Sequence, residues 1–172
     1  MGQNAFALMD WRSALLLGRV SNLPTVWSNV LAGCLLAGGL PEAAPLALLL
    51  LAASLFYLGG MYLNDAFDRR IDAQERPNRP IPSGRATAAT VFALGFAMLA
   101  AAVLMAAPAG TNALSAALAL TAAILFYDIR HKQNPFSPLV MGLCRALLYL
   151  LAGLTVAPAP SPLLLLAGLS LL

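Results

Sequence analysis

The sequence predicts an all-α fold, a multi-pass transmembrane helical bundle of five helices plus the start of a sixth. Three observations carry that prediction. Of 172 residues, 60% are hydrophobic and only 10% charged, against about 25% charged in a typical soluble chain. The apolar residues fall into runs close to the roughly 20 needed to cross hydrocarbon. Nine of the ten basic residues are confined to alternate connections between those runs.

Taken in order, the predicted spans are Val26 to Leu40, Ala44 to Leu63, Ala88 to Ala107, Asn112 to Tyr127 and Leu139 to Ala157. Their ends are marked by Gly39, Pro41, Pro108, Gly110, Pro135, Pro138, Pro158 and Pro160, residues that stop or kink helices. A last apolar run, Ser161 to Leu172, is too short to cross a bilayer and reads as the start of the sixth helix. The segment before Val26 lacks a signal-peptide h-region and a small-residue cleavage site, so the first span is expected to be retained. One membrane-embedded domain is expected over residues 1–172, truncated at its C-terminus.

Charge placement sets the expected orientation. Arg12 and Arg19 precede the first span, Arg69, Arg70, Arg76, Arg79 and Arg85 follow the second, and Arg130 and Lys132 follow the fourth; the opposite connections carry only Glu42. Basic residues favour the cytoplasmic face, which puts the N-terminus and the Asp-rich segment in the cytoplasm, at the cytoplasmic membrane if the source is bacterial. The net charge of +3 is largely this topological signal. It gives no reason to expect a nucleic-acid partner; membrane lipid is the expected surrounding. Cys34 and Cys144 lie in separate apolar helices outside any CxxC pattern, and His131, the sole histidine, cannot build a zinc site alone.

The chemistry concentrates where the second span ends, in Asn64-Asp65-Ala66-Phe67-Asp68-Arg69-Arg70-Ile71-Asp72. On a helix Asp65, Asp68 and Asp72 stand at i, i+3 and i+7 and share a face, with Asn64 beside them. Clustered carboxylates repel one another unless a cation lies among them. Their hard oxygens suit Mg²⁺, which keeps places for water and substrate phosphate. A solvated acidic helix end would show the same spacing. The following segment, Arg76-Pro77-Asn78-Arg79-Pro80-Ile81-Pro82-Ser83-Gly84-Arg85, joins three arginines to three prolines. Stiffened in that way, guanidinium groups can close over phosphate, or they can anchor the chain at lipid headgroups.

These residues carry a family resemblance. Asn64-Asp65-x-x-Asp68-x-x-x-Asp72, followed by Asn78-Arg79-Pro80-Ile81-Pro82-Ser83-Gly84, resembles the first Asp-rich motif and adjoining loop of the UbiA superfamily of intramembrane prenyltransferases. Arg19-Val20-Ser21-Asn22-Leu23-Pro24 is similar to the start of that family's first helix, and Tyr127-Asp128-x-x-x-Lys132 to the segment after its fourth. The resemblance implies a membrane enzyme of isoprenoid biosynthesis that moves a prenyl group from an isoprenyl diphosphate to an aromatic or other lipophilic acceptor with Mg²⁺.

Carried over residue by residue, it implies that Asn64, Asp65 and Asp68 form a metal site with Asp72 ligating or supporting, the three aspartates being the catalytic set. Arg76, Arg79 and Lys132 become candidates for holding diphosphate, and Tyr127 for bordering the acceptor or the allylic cation, whose charge an aromatic face attracts. Arg69 and Arg70 rank below them as interfacial anchors. Arg145 is the one basic residue inside a predicted span, at a cost of about 2.5 kcal/mol or more on insertion scales. It is expected to face a wet cavity or to snorkel to the nearer surface. Asn22 and Asn29, seven apart, share a face and can look into the same cavity.

The sequence departs from the family pattern in its second half. The family has about nine helices and a second Asp-rich motif, whereas no carboxylate follows Asp128 here. Either the chain is the N-terminal part of a longer protein, or it is a shortened subunit whose site a partner completes; alone it is expected to be inactive. Two functions from other classes compete. A CDP-alcohol phosphotransferase lacks support because its Asp-Gly-x-x-Ala-Arg start is missing, Asp65 being followed by Ala66. A non-catalytic carrier of an isoprenoid or precursor would use the same cavity and acids. The acceptor and the prenyl length are not legible, because discrimination depends on cavity shape.

Overall fold

The computed structural model describes residues 9–130, 132 and 134–172. His131 lies outside the described residues. Seven α-helices follow one another: α1 (Trp11–Gly18), α2 (Leu23–Leu36), α3 (Ala43–Glu75), α4 (Ala88–Ala106), α5 (Thr111–Arg130), α6 (Ser137–Val156) and α7 (Pro162–Leu169). The all-helical expectation holds among the described residues. Among the described residues four helical segments are long and apolar enough to cross a membrane, Ala43–Glu75, Ala88–Ala109, Thr111–Arg130 and Ser137–Val156.

Two expected spans change on folding. The first, Val26 to Leu40, is realised as the 14-residue α2, only about 21 Å long and short of the hydrocarbon thickness. Gly38 and Gly39, both at positive φ, end it before Leu40. The second continues past Leu63 as one helix of 33 residues, roughly 50 Å long at 1.5 Å per residue. No Gly or Pro interrupts Met61 to Arg76, so the helix carries its polar C-terminal turns out of the apolar layer and stops at Glu75, two residues before Pro77. The Asp-rich segment is therefore helical, and Asn64 sits where the apolar run gives out.

α1 has no counterpart among the expected spans. It places Arg12 over the Trp11 ring and ends at Arg19, the one described non-glycine residue at positive φ (43°). A left-handed residue there turns the chain into a short 3-10 turn, Val20–Asn22, and Pro24 opens α2. Tyr62 Oη donates to the Ala14 carbonyl at 3.1 Å and fixes α1 against α3.

The core forms where α2, α3, α5 and α6 meet, around Val30, Phe56, Leu63, Leu120 and Leu151. Small residues set the close approaches: a Cβ on Gly59 would stand 3.0 Å from the Gly95 carbonyl oxygen across the α3–α4 contact, and one on Gly33 would stand 2.9 Å from the Tyr149 carbonyl oxygen across α2–α6. This is membrane-type packing, in which van der Waals fit replaces the aqueous hydrophobic drive. One polar tie sits at a helix end: Ser161 Oγ caps the start of α7 through the Leu164 N–H and donates to the Leu36 carbonyl at 2.8 Å.

Candidate functional site

The α3 extension brings Asn64, Asp65, Asp68 and Asp72 together, and all four are buried although they lie at the polar end of the helix. The loop after α3 folds back over its own helix and reaches Asp65 and Asp72, while Asn64 meets Asp128 of α5 and Asp68 meets Lys132. Ser83 N–H donates to the Arg79 carbonyl, Ala86 N–H to the Pro80 carbonyl, and Gly84 takes the left-handed conformation the turn requires (φ 77°). Thr87 then caps α4 by accepting from the Thr90 N–H at 3.1 Å. Arg85 stitches this loop internally, donating to the Asn78 carbonyl at 2.6 Å and to Ser83 Oγ at 3.0 Å. Of the three loop arginines it is thus a structural clasp.

Arg79 is the loop's contribution to the acids. Its Nη1 reaches Asp65 Oδ1 at 2.9 Å and Asp72 Oδ2 at 2.7 Å, bridging two carboxylates seven residues apart. Lys132 Nζ approaches Asp68 Oδ2 at 3.5 Å from beyond α5, and Arg76 stands at the rim, mostly exposed and 4.0 Å from Asp72 Oδ1. Arg69 turns elsewhere, donating to the Ala66 carbonyl and lying over the Phe92 ring.

Two residues absent from the sequence-derived set belong to this constellation. Arg19 Nη2 reaches Asp65 Oδ1 at 3.0 Å, and its carbonyl accepts from Tyr57 Oη. Asp128, 4% exposed, accepts from Asn64 Nδ2 at 3.4 Å. Both belong to motifs visible in the chain, Arg19-x-x-Asn22 and Tyr127-Asp128. Their partners are 46 and 64 residues away, a separation that helix periodicity cannot reveal.

Beside the acids a cavity of about 530 Å³ opens between α2, α3, α5 and α6. Its polar end is formed by Arg19, Asn64, Tyr127 and Asp128, and its apolar walls by Ala53, Phe56, Leu120, Ile124 and Leu148. Asn22, Asn29 and Arg145 line it. Asn22 donates to Tyr57 Oη, and Asn29 accepts from Tyr149 Oη. Asp65, Asp68 and Asp72 are not themselves wall residues of the cavity.

No three carboxylate, histidine or cysteine side chains converge as a ready-made metal cage among the described residues. The acids are gathered instead about the chain's own cations, Arg79 standing between Asp65 and Asp72. The donor set nevertheless fits a magnesium ion that carries diphosphate. Such an ion needs only one or two protein carboxylates, the available donors are hard oxygens, and Asp72 Oδ1 is buried without a hydrogen-bond partner.

Residues 24–172 match the UbiA prenyltransferase family. The chain belongs to that family. Among its relatives is the digeranylgeranylglyceryl phosphate synthase of Methanothrix thermoacetophila, 32% identical over 143 residues that cover 82% of this chain and 54% of the relative. The synthase of the same name from Methanopyrus kandleri is 35% identical over 159 residues, 88% of this chain and 55% of that one. A solved structure from work on digeranylgeranylglyceryl phosphate synthase in membranes superposes with a TM-score of 0.82 at 23% identity, covering 93% of this chain and 59% of the other; at that identity the likeness is one of fold. The chain spans about half the length of the curated relatives it matches. The UbiA-type helical bundle is thereby shown, and it places the Asp-rich end of α3 in a family whose name describes prenyl transfer.

Proposed function

We propose that this UbiA-family chain forms the donor half of a site that transfers a prenyl group from an isoprenyl diphosphate to a lipophilic acceptor. One observation carries the reading: a largely apolar cavity ends at Asn64, next to buried acids that three basic side chains already approach. The relatives' name points to a glycerophosphate ether as acceptor, in preference to an aromatic one.

Asn64, Asp65, Asp68 and Asp72 would hold Mg²⁺, which supplies charge neutralisation of the departing diphosphate. Arg79, Arg19 and Lys132 have carboxylates as partners, and a diphosphate can compete for their N–H groups. Arg79 is the best placed, since its planar fork meets paired phosphate oxygens in the way it now meets Asp65 and Asp72. Arg76, at the rim, receives the outer phosphate. The allylic C–O bond breaks with its electron pair leaving on diphosphate; the Tyr127 face attracts the positive carbon while Phe56, Leu120, Ile124 and Leu148 exclude water. A hydroxyl oxygen of the acceptor then bonds to that carbon, and its proton passes to the departed diphosphate. Positive-inside orientation puts this polar end in the cytoplasm, where diphosphates are soluble.

The test is product formation by membranes holding the full gene product, supplied with a labelled isoprenyl diphosphate and a panel of acceptors. The reading expects a prenylated product that disappears with a chelator and with Asp68→Asn. Retained binding of the isoprenoid with no product from any acceptor would favour a carrier.

A further inference from the structure

Arg145 is the only charged residue of α6 and stands eight residues from its start, about 12 Å along the axis. Its side chain lines the cavity. The other cations near the site are engaged: Arg19, Arg79 and Lys132 with carboxylates, Arg69 and Arg85 with backbone carbonyls. Arg145 takes part in none of the ion pairs or side-chain hydrogen bonds formed among the described residues. A guanidinium placed in an apolar helix is costly and is retained where an anion or water-filled space meets it.

The wall formed by α2 matches it. Asn22, Thr25 and Asn29 follow one another at intervals of three and four residues and line the same cavity. They add neutral hydrogen-bonding groups without a negative charge that would satisfy Arg145 internally. The cavity thus carries Arg19, Asn64, Tyr127 and Asp128 in its wall, where Arg19 already pairs with a carboxylate, and on its α6 side Arg145, a guanidinium suited to an oxyanion. Arg79 and Lys132, which the donor diphosphate would use, are not wall residues here.

We infer that Arg145, with Thr25 and Asn29, binds the anionic headgroup of the acceptor and makes this a site selective for acceptors bearing a phosphate or carboxylate over neutral ones. The inference rests on the prenyl-transfer reading for the word acceptor, and its binding arm is independent of turnover. Guanidinium orients the headgroup so that the acceptor's free hydroxyl points toward Tyr127, and the lipid tail lies along the apolar walls.

The experiment compares three glyceryl ethers with the same prenyl tail, one ending in phosphate, one in carboxylate and one in a neutral hydroxyl, bound to the full gene product in lipid nanodiscs. Arg145→Gln is expected to weaken the phosphate compound by about ten- to a hundredfold, the loss of a charge-assisted contact, and to change the neutral one less than about twofold. Phosphate against carboxylate in the native protein names the headgroup. Arg145→Lys should restore most of the loss, and Asn29→Leu should reproduce part of it with the same selectivity. Because Gln removes a charge from an apolar helix, insertion should not suffer; should the variant fail to accumulate, the Lys and Leu variants decide. Equal weakening of all three ethers, no weakening of any, or weakened binding of isoprenyl diphosphate in place of the phosphate ether would overturn the inference. Selective binding without product from any acceptor would sink the transfer reading and leave the Arg145 assignment standing.

Discussion

Removing Arg79 should destabilise the protein through the acids it bridges. Asp72 is 1% exposed and Asp65 5%, and Arg79 approaches both within 2.9 Å. Truncating one partner of a buried ion pair leaves an uncompensated charge, which costs about 3–5 kcal/mol. The Arg79 side chain is 22% exposed, so water screens part of the interaction, and Asp65 keeps Arg19 at 3.0 Å. Arg79→Ala should therefore fall near the low end, about 2–3 kcal/mol. Adding Asp72→Asn removes the stranded charge, so the double variant should be less destabilised than the sum of the singles by about 1–2 kcal/mol. Reversible unfolding in mixed micelles, carried out as a double-mutant cycle, reads this directly. Additive effects would refute the bridging role. A fully stable Arg79→Ala would show that the loop is not held by these pairs.

Four further outcomes follow from the geometry. Asn64→Asp sets a second carboxylate against Asp128 Oδ1, now 3.4 Å from the Asn64 amide; donor binding should weaken, as read by competition with labelled isoprenyl diphosphate, and Asn64→Gln should be milder. Gly59→Val and Gly33→Val drive side chains into backbone carbonyls at the α3–α4 and α2–α6 contacts, and each should cost about 1–3 kcal/mol in the same unfolding assay. Removing divalent metal by chelation should abolish transfer and leave helicity by circular dichroism unchanged, since α3 is held by its apolar packing and its acids are paired with Arg19, Arg79 and Lys132. Single cysteines at Glu42 and Arg85, in a background without Cys34 and Cys144, should label from opposite faces of sealed vesicles, Arg85 from the cytoplasmic face; labelling from one face would contradict the expected topology.

Most of the fold was legible because a bilayer imposes long apolar runs and alternating basic connections. The helices at Ala88–Ala106, Thr111–Arg130 and Ser137–Val156 match the expected spans within a few residues. α2 is shorter than its apolar run because consecutive positive-φ glycines end it, and hydropathy does not register backbone conformation. α3 is longer because hydropathy registers only where apolarity stops, whereas the helix stops where Pro77 forbids it. In the site, the acids share a face of one helix and could be grouped by spacing alone. Arg19 and Asp128 could not, since each meets its partner only through the packing of separate helices. Arg85 shows the converse: its sequence setting matches that of Arg79, and only the folded loop separates a clasp on Asn78 from a bridge between acids.

The central claim is that the polar end of α3 holds a metal-bound diphosphate. It is tested most directly by titrating Mg²⁺ against the binding of a non-reactive isoprenyl diphosphate analogue to the full gene product, native and Asp68→Asn. The account predicts binding that rises with Mg²⁺ in the native protein and loses that dependence in the variant, with both equally folded. Identical Mg²⁺ dependence in the two, or tight binding in the native protein without any divalent metal, would contradict it.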